Sequence, residues 1–263
     1  MATSAAQRPR IKPLDSTLRW GSHRPVLQTL FDLYDPRTAL ELGMGESSTP
    51  FLHARAETLI SVENHAPWLR TIAARLAPRP GAHFVPRHHP LLDDAGAEVH
   101  FSTLEPGIAP ATLAGATRFY RALVGEFGRF DLILVDQAAS TRRVSLEVLA
   151  PHADLIVIHD TEVCTPSHRD FDCYRYNPFF ESPVAAEFLH LRFDAITPWT
   201  DALIRATRKP DAAAISAHYN RSLTAYLAQF AAAPTPALRE NYELQRTPSP
   251  SARDGRARPQ TEM

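Results

Sequence analysis

Cysteine is scarce in this chain: Cys164 and Cys173 are the only two among 263 residues. That excludes a disulfide framework, so free thiols in a reducing cytoplasm are the expectation. Long apolar runs are also missing, and none approaches the roughly 18 residues of a membrane span. An excess of one charge is absent too, with 28 Lys and Arg against 29 Asp and Glu and a formal net charge of −1. No bulk field favours nucleic acid or an anionic membrane, and neither is expected as a partner. The opening residues, MATSAAQRPRIKP, lack the apolar stretch of a secretory signal; being basic and acid-poor, they leave a transit peptide as an open alternative. No internal repeat occurs.

What is present suits one soluble domain: 44% of residues are hydrophobic and 22% charged, enough for a sizeable core. Its organising stretch is Thr38–Ser48, TALELGMGESS. Ala39, Leu40 and Leu42 make an apolar strand with Glu41 near its end. Gly43 and Gly45 then remove side chains where the backbone must turn or approach a ligand. Glu46 to Thr49 supply helix-capping residues, and Pro50 is tolerated in a first helical turn. A strand, a glycine turn and a helix N-terminus form the docking place of nucleotide-binding α/β sheets. Gly-x-Gly alone is weak evidence. It is strengthened by LISVEN at Leu59–Asn64, a second apolar strand whose acid, Glu63, follows Gly43 by 20 residues. Such sheets place a ribose-binding carboxylate at about that distance.

The rest alternates strand and helix, which predicts a parallel sheet with right-handed crossovers. Residues 1–14 read as a flexible arm, 15–232 as the domain and 233–263, rich in Pro, Arg, Ser and Thr, as a disordered tail. Leu18–Leu33 has helical spacing and is expected to cover the sheet edge, ending at Asp35-Pro36. A helix near Pro50–Ala56, another over His65–Leu76 and a short strand at Ala82–Val85 follow. Residues 86–115 are less legible, with VHFSTL as an extra strand or a lid. Thr117–Phe127 reads as a helix, Phe130–Asp136 as a strand, Arg142–Leu149 as a helix and Asp154–Asp160 as a strand. Val184–Leu189 reads as a helix, Leu189–Ala195 and Thr200–Thr207 as a closing hairpin, and Tyr219–Phe230 as an appended helix. Near-continuous apolar strands such as FDLILVD and DLIVIHD belong to a sheet covered on both faces. Glu41, Glu63, Asp136 and Asp160 fall at or beside strand ends, where ligand chemistry gathers in such sheets. Four carboxylates on one edge need a ligand, cations or donors to satisfy them.

Taken together, Leu18 to Thr207 resembles the class I S-adenosylmethionine-dependent methyltransferases. ELGMGES at Glu41–Ser47 is similar to the family's first motif, SVEN at Ser61–Asn64 to its second and FDLILVD at Phe130–Asp136 to its fourth. DLIVIHDT at Asp154–Thr161 is similar to the fifth strand of its small-molecule O-methyltransferases. The resemblance implies a Rossmann-like, doubly wound, mostly parallel seven-stranded sheet with a terminal antiparallel hairpin. It further implies that Gly43 and Gly45 lie against the methionyl and ribose part of the cofactor, with Glu41 near its amino group. Ser47 stands at the motif's third glycine. Glu63 would bind the ribose hydroxyls, Asn64 would lie beside the adenine, and Asp136 would face the methionine end. Departures from the pattern are His152-Ala153 in place of a Gly-Gly turn and Gln137-Ala138-Ala139 after Asp136. No acid follows the third strand.

Three chemical alternatives stay open at the strand ends. Asp136 and Asp160 could share a divalent cation such as Mg²⁺, as in catechol-type relatives, with Thr161 where those have an amide ligand. His159 could serve as a general base, or be a hydrogen-bonded core histidine on the opposite face. Cys164, His168 and Cys173 lack a paired zinc spacing and read as a solvated loop. The aromatics Phe171, Tyr174, Tyr176, Phe179 and Phe180 suit either an acceptor pocket or packing under a loop, and His88-His89 and Arg142-Arg143 read as surface, with Arg142 or Arg143 placed to hold an anionic acceptor as the alternative. The expectation is a cytoplasmic enzyme that methylates a small-molecule acceptor, most readily on oxygen. Its alternatives are a catalytically silent cofactor-binding scaffold of the same fold and an NAD-dependent oxidoreductase.

Overall fold

The computed structural model of this chain describes residues 21–100, 103–161, 174–196 and 198–231. The expected arm and tail, Cys164, His168, Cys173 and Phe171 lie outside the described residues. Seven strands form one sheet: β1 (Thr38–Leu42), β2 (Thr58–Glu63), β3 (His83–His88), β4 (Phe130–Val135), β5 (Ala153–His159), β6 (Phe188–Phe193) and β7 (Thr200–Arg205). Their order is β3-β2-β1-β4-β5-β7-β6. The first five are mutually parallel, and β7 runs antiparallel to both β5 and β6. The fold is therefore the expected Rossmann-like α/β architecture with a closing antiparallel hairpin.

The central strands are apolar because helices cover both of their faces. Leu132, Leu134, Leu155 and Val157 point to one layer, with α1 (Arg24–Tyr34), α2 (Ser48–Arg55) and α7 (Ala212–Ala231). Ile133, Val135, Ile156 and Ile158 point to the other, with α4 (Pro110–Phe127), α5 (Arg142–Leu149) and α6 (Tyr176–Phe180). A further helix, α3 (Ala66–Ala73), follows β2 and buries Ile72. The edges read differently. β3 is half exposed and carries Pro86, which an edge strand tolerates because the missing N–H leaves no central ladder bond unmade.

Several boundaries differ from the sequence expectation. The first helix packs against the sheet face, where Val26, Leu27 and Leu30 are buried, rather than along an edge. It begins at Arg24 after a turn and stops at Asp35, which takes the left-handed conformation (φ 47°). The long helix before β4 starts at Pro110, well ahead of Thr117, with proline in its first turn. In residues 91–99 the chain closes a small loop through a Leu92–Glu98 bridge; Phe101 and Ser102 of VHFSTL are outside the described residues. Val184–Leu189 is not a helix: one 3₁₀ turn, Ala185–Glu187, leads straight into β6. Alternation decides this, since Leu189, Leu191 and Phe193 pack on one face of the sheet and Phe188 on the other. Nor is the last helix an appendage. It spans Ala212–Ala231 and sets Ile215 and Tyr219 into the core beside α1. Among the described residues no helix is long and apolar enough to cross a membrane.

Candidate active site at the carboxyl edge

The carboxyl ends of β1, β2, β4 and β5 meet at one edge, and a backbone crossing draws the first three together. The Gly43 N–H donates to the Val62 carbonyl, and the Asp136 N–H donates to the Leu42 carbonyl, both at 2.9 Å. Gly43 has φ +89°, and a Cβ there would stand 2.3 Å from the Asp136 carbonyl oxygen. The glycine is thus required by the strand crossing itself. The Gly45 N–H donates to the Thr49 hydroxyl at 3.0 Å and helps close the turn onto α2. Ser47 is buried, and Arg24 donates to its carbonyl at 2.9 Å.

The two glutamates have different surroundings. Glu41 is fully buried and accepts hydrogen bonds from Thr49 (2.8 Å) and Ser61 (2.6 Å). Burial pushes its pKa up to about 7 despite the hydroxyls of Ser48, Ser61 and Thr49, and the neighbouring Asp136 adds to the rise. Glu63, at the end of β2, joins two turns. Its Oε2 accepts the Met44 N–H at 3.1 Å, and its Oε1 accepts the His65 N–H at 2.8 Å. Burial raises its pKa, against the backbone donors His65, Met44 and Asn64. Trp68 Nε1 donates to the Met44 carbonyl at 2.7 Å and braces the glycine turn from α3.

A small cavity lies at the ends of β1 and β2, and a larger one shares a wall with it. The smaller, about 10 Å³ and thus near the size of one water, is bordered by Leu42, Val62, Asn64, Tyr120 and Gln137. The larger, about 340 Å³, is bordered by Leu92, Asp93, Thr112 and Ala116. His89 and Leu91 are walls of both. His89, expected at the surface, is instead half-buried and stacked on Phe119 with ring centroids 3.9 Å apart. Its Nε2 is buried without a hydrogen-bond partner, and burial, with His88 beside it, lowers its pKa to about 4.

At the other end of the edge, Asp136, His159 and Asp160 come together as expected, around a residue expected elsewhere. Arg142 is buried rather than at the surface. It donates to the carbonyls of Gln137 (2.8 Å) and His159 (3.0 Å) and to the Tyr176 hydroxyl (3.1 Å). The same guanidinium pairs with Asp136 at 3.2 Å and Asp160 at 2.9 Å. It bridges the two carboxylates where a shared Mg²⁺ was expected, so this donor set does not fit that ion. The Thr161 hydroxyl points away, donating to Asp201 at 2.7 Å. Arg143, by contrast, reaches outward to Glu105 at 2.9 Å.

His159 is buried on the α1 side of the sheet, with Nδ1 3.0 Å from Asp136 and Nε2 2.7 Å from the Ser22 hydroxyl. Burial opposes its charge, yet Asp136 and Asp160 outweigh that and its pKa is raised. Beside it stands His23, which gave no signal in the sequence; its ring meets that of His159 edge-on at 4.9 Å. Of the aromatic run, Tyr176 and Phe179 are core residues packed under β5.

No family model matches this sequence, and no curated protein does. Solved structures that resemble it are methyltransferases. One is a methyltransferase-like protein from Silicibacter pomeroyi, 17% identical, matched over 75% of this chain and 89% of that one with a TM-score of 0.44. Another is the N-methyltransferase NodS from Bradyrhizobium japonicum in complex with S-adenosyl-L-homocysteine, 12% identical over 78% and 93% of the two chains, with a TM-score of 0.43. A third is an rRNA methylase from Streptococcus thermophilus, 10% identical over 70% and 96%, also with a TM-score of 0.43.

Proposed function

We propose that this chain transfers a methyl group from S-adenosylmethionine to a hydroxyl of a small-molecule acceptor. The observation that carries the proposal is the bond between the Glu63 carboxylate and the Met44 N–H, which holds the acid of the second strand against the glycine turn of the first. Each carboxylate oxygen can accept more than one hydrogen bond, so Glu63 keeps capacity for two ribose hydroxyls. Of the residues present, Glu63 would hold the ribose, and Asn64, close to the unpartnered His89 Nε2, would lie beside the adenine. The adjoining 340 Å³ cavity has the size of a small-molecule site, about 300–1,000 Å³.

The bound sulfonium supplies an electrophilic methyl, so the protein's task is alignment and removal of one proton. Asp136 fits the second task, being partly open to solvent (22% for its side chain) with His159 Nδ1 behind it at 3.0 Å. Arg142 pairs with both Asp136 and Asp160 at this edge. A net charge of −1 supplies no bulk attraction for a nucleic-acid acceptor, which favours a small molecule. An NAD-dependent oxidoreductase is disfavoured because dinucleotide folds run 3-2-1-4-5-6, whereas here the antiparallel β7 stands between β5 and β6.

Calorimetric titration with S-adenosylhomocysteine tests the proposal. Wild type is expected to bind in the micromolar range, and Glu63→Gln to bind at least tenfold more weakly with an unchanged thermal midpoint. Absence of binding at millimolar ligand overturns it. Binding without turnover across hydroxylated acceptors would assign the silent scaffold instead.

A further inference from the structure

We propose that His23, His159 and Asp136 form a binding site for one divalent transition-metal ion of the zinc, iron(II) or cobalt(II) type. The site goes beyond methyl transfer and its test needs no turnover, although an ion there would take up Asp136, the carboxylate assigned above to proton removal. One donor atom from each residue lies within 4.8 Å of the other two. Asp136 is 3.0 Å from His159 Nδ1 through Oδ1, and 4.0 Å from His23 Nδ1 through Oδ2. Donors bound about 2.1 Å from one ion are at most about 4.2 Å apart, and the Asp136 Oδ2–His23 Nδ1 pair at 4.0 Å already meets that limit. The two pairs that involve His159 need a shift of about 0.6 Å at most to do the same.

His23 supplies the independent observation. It is 1% exposed, and neither ring nitrogen has a hydrogen-bond partner. An imidazole is rarely enclosed with both nitrogens unsatisfied, because it forfeits its bonds to water and gains none in return. Here one nitrogen is aimed at a carboxylate oxygen from 4.0 Å, too far for a hydrogen bond and suited to a bridging cation. His159 carries the outer support of a metal-binding histidine. Its Nε2 is 2.7 Å from the Ser22 hydroxyl, which can accept the Nε2 proton and leave the Nδ1 lone pair facing the cluster. The three residues come from the turn before α1, the end of β4 and the end of β5, so the folded sheet assembles them. Asp136, with 22% of its side chain exposed, gives an ion a route in.

Donor chemistry selects the ion. Two imidazoles and one carboxylate suit zinc, iron(II), cobalt(II) or nickel(II), whereas magnesium and calcium take oxygen ligands. Arg142 meets Asp136 through Oδ1, which leaves Oδ2 on the His23 side for the ion.

The test is cobalt(II) titration of the full, chelator-stripped chain, followed by visible absorption and calorimetry. One ion per chain is expected, with ligand-field bands that zinc abolishes and millimolar magnesium does not. X-ray absorption at the cobalt edge should count two imidazoles. His23→Ala is expected to weaken binding at least tenfold while circular dichroism stays native. The proposal is overturned if no bands appear, if His23→Ala binds as tightly as wild type, or if fewer than two imidazoles are counted on the wild type. That last count keeps it falsifiable should the variant not fold.

Discussion

A Cβ on Gly43 would stand 2.3 Å from the carbonyl oxygen of Asp136, so the first glycine of the turn is fixed by the residue that follows β4. Gly43→Ala combines that collision with a φ of +89°, which costs an L-residue about 1–2 kcal/mol by itself. The clash is with backbone and cannot be relieved by a rotamer. The variant should lose about 3 kcal/mol or more in urea denaturation. Gly45→Ala should lose less, because only the Ser48 side chain stands in the way. Equal losses would show that the crossing is not what the glycine serves.

Glu41 makes stability depend on pH in the direction opposite to an ordinary carboxylate. Its folded pKa is about 7 against a usual 4.5, so between those values the native state holds a proton that the unfolded chain has lost. Stability from this group is fully present below pH 4.5 and is lost as pH rises through 7. At about 1.4 kcal/mol per unit, the loss is on the order of 3 kcal/mol. Other groups titrate in the same window, including His159, whose raised pKa gives a loss of the same sign. The difference between wild type and Glu41→Gln isolates the glutamate. Denaturant unfolding from pH 5 to 8 should show wild type losing ground steadily to Glu41→Gln; parallel curves would refute this.

Much of this architecture is legible in the chain because strand burial writes itself as apolar runs. FDLILVD and DLIVIHD could only be central strands, and the glycine turn and Glu63 lie where the strands' carboxyl ends meet. What escaped depends on contacts between distant residues. Arg142 looks like a surface residue at a helix start, and only the folded sheet shows that it binds the His159 carbonyl and two carboxylates. His23 lies more than a hundred residues from its partners. His89 reads as half of a surface pair because the chain does not disclose that Phe119 will stack on it. The helix boundary at Val184 failed for a local reason: Ala-Ala-Glu favours helix, but the alternating residues after it are claimed by the sheet.

Asp201 closes the hairpin. Fully buried in β7, it accepts the Thr161 hydroxyl at 2.7 Å, His190 Nε2 at 2.5 Å and two Arg192 nitrogens at 3.0 and 2.8 Å. Burial would raise its pKa, but His190 and Arg192 hold it below the usual carboxylate value. Its contribution is therefore present above the ordinary aspartate range and lost as pH falls through the depressed value. Asp201→Asn should cost about 2–3 kcal/mol at pH 7, the scale of hydrogen bonds to a charged group. The gap to wild type should narrow as pH falls below the ordinary aspartate value of 3.8, read by denaturant unfolding at a series of pH values from 7 into strong acid. A gap that persists unchanged would mean packing, not charge, sets the cost.

Arg142 offers the sharpest test of how the edge is neutralised. Its guanidinium uses three nitrogens on two carboxylates, two backbone carbonyls and the Tyr176 hydroxyl, and its plane lies over the Tyr174 ring at 4.5 Å. Lysine has one nitrogen and cannot reproduce that fork. Arg142→Lys should therefore lose most of what Arg142→Ala loses, about 3–5 kcal/mol, because either change leaves buried acceptors unpaired. Adding Asp160→Asn to Arg142→Ala should recover part of the loss, since one of the stranded charges is then gone. Such coupling, measured by a double-mutant cycle in urea, would show that the guanidinium is at this edge to hold two carboxylates together. Strict additivity would instead assign Arg142 to packing against Tyr174 and Tyr176.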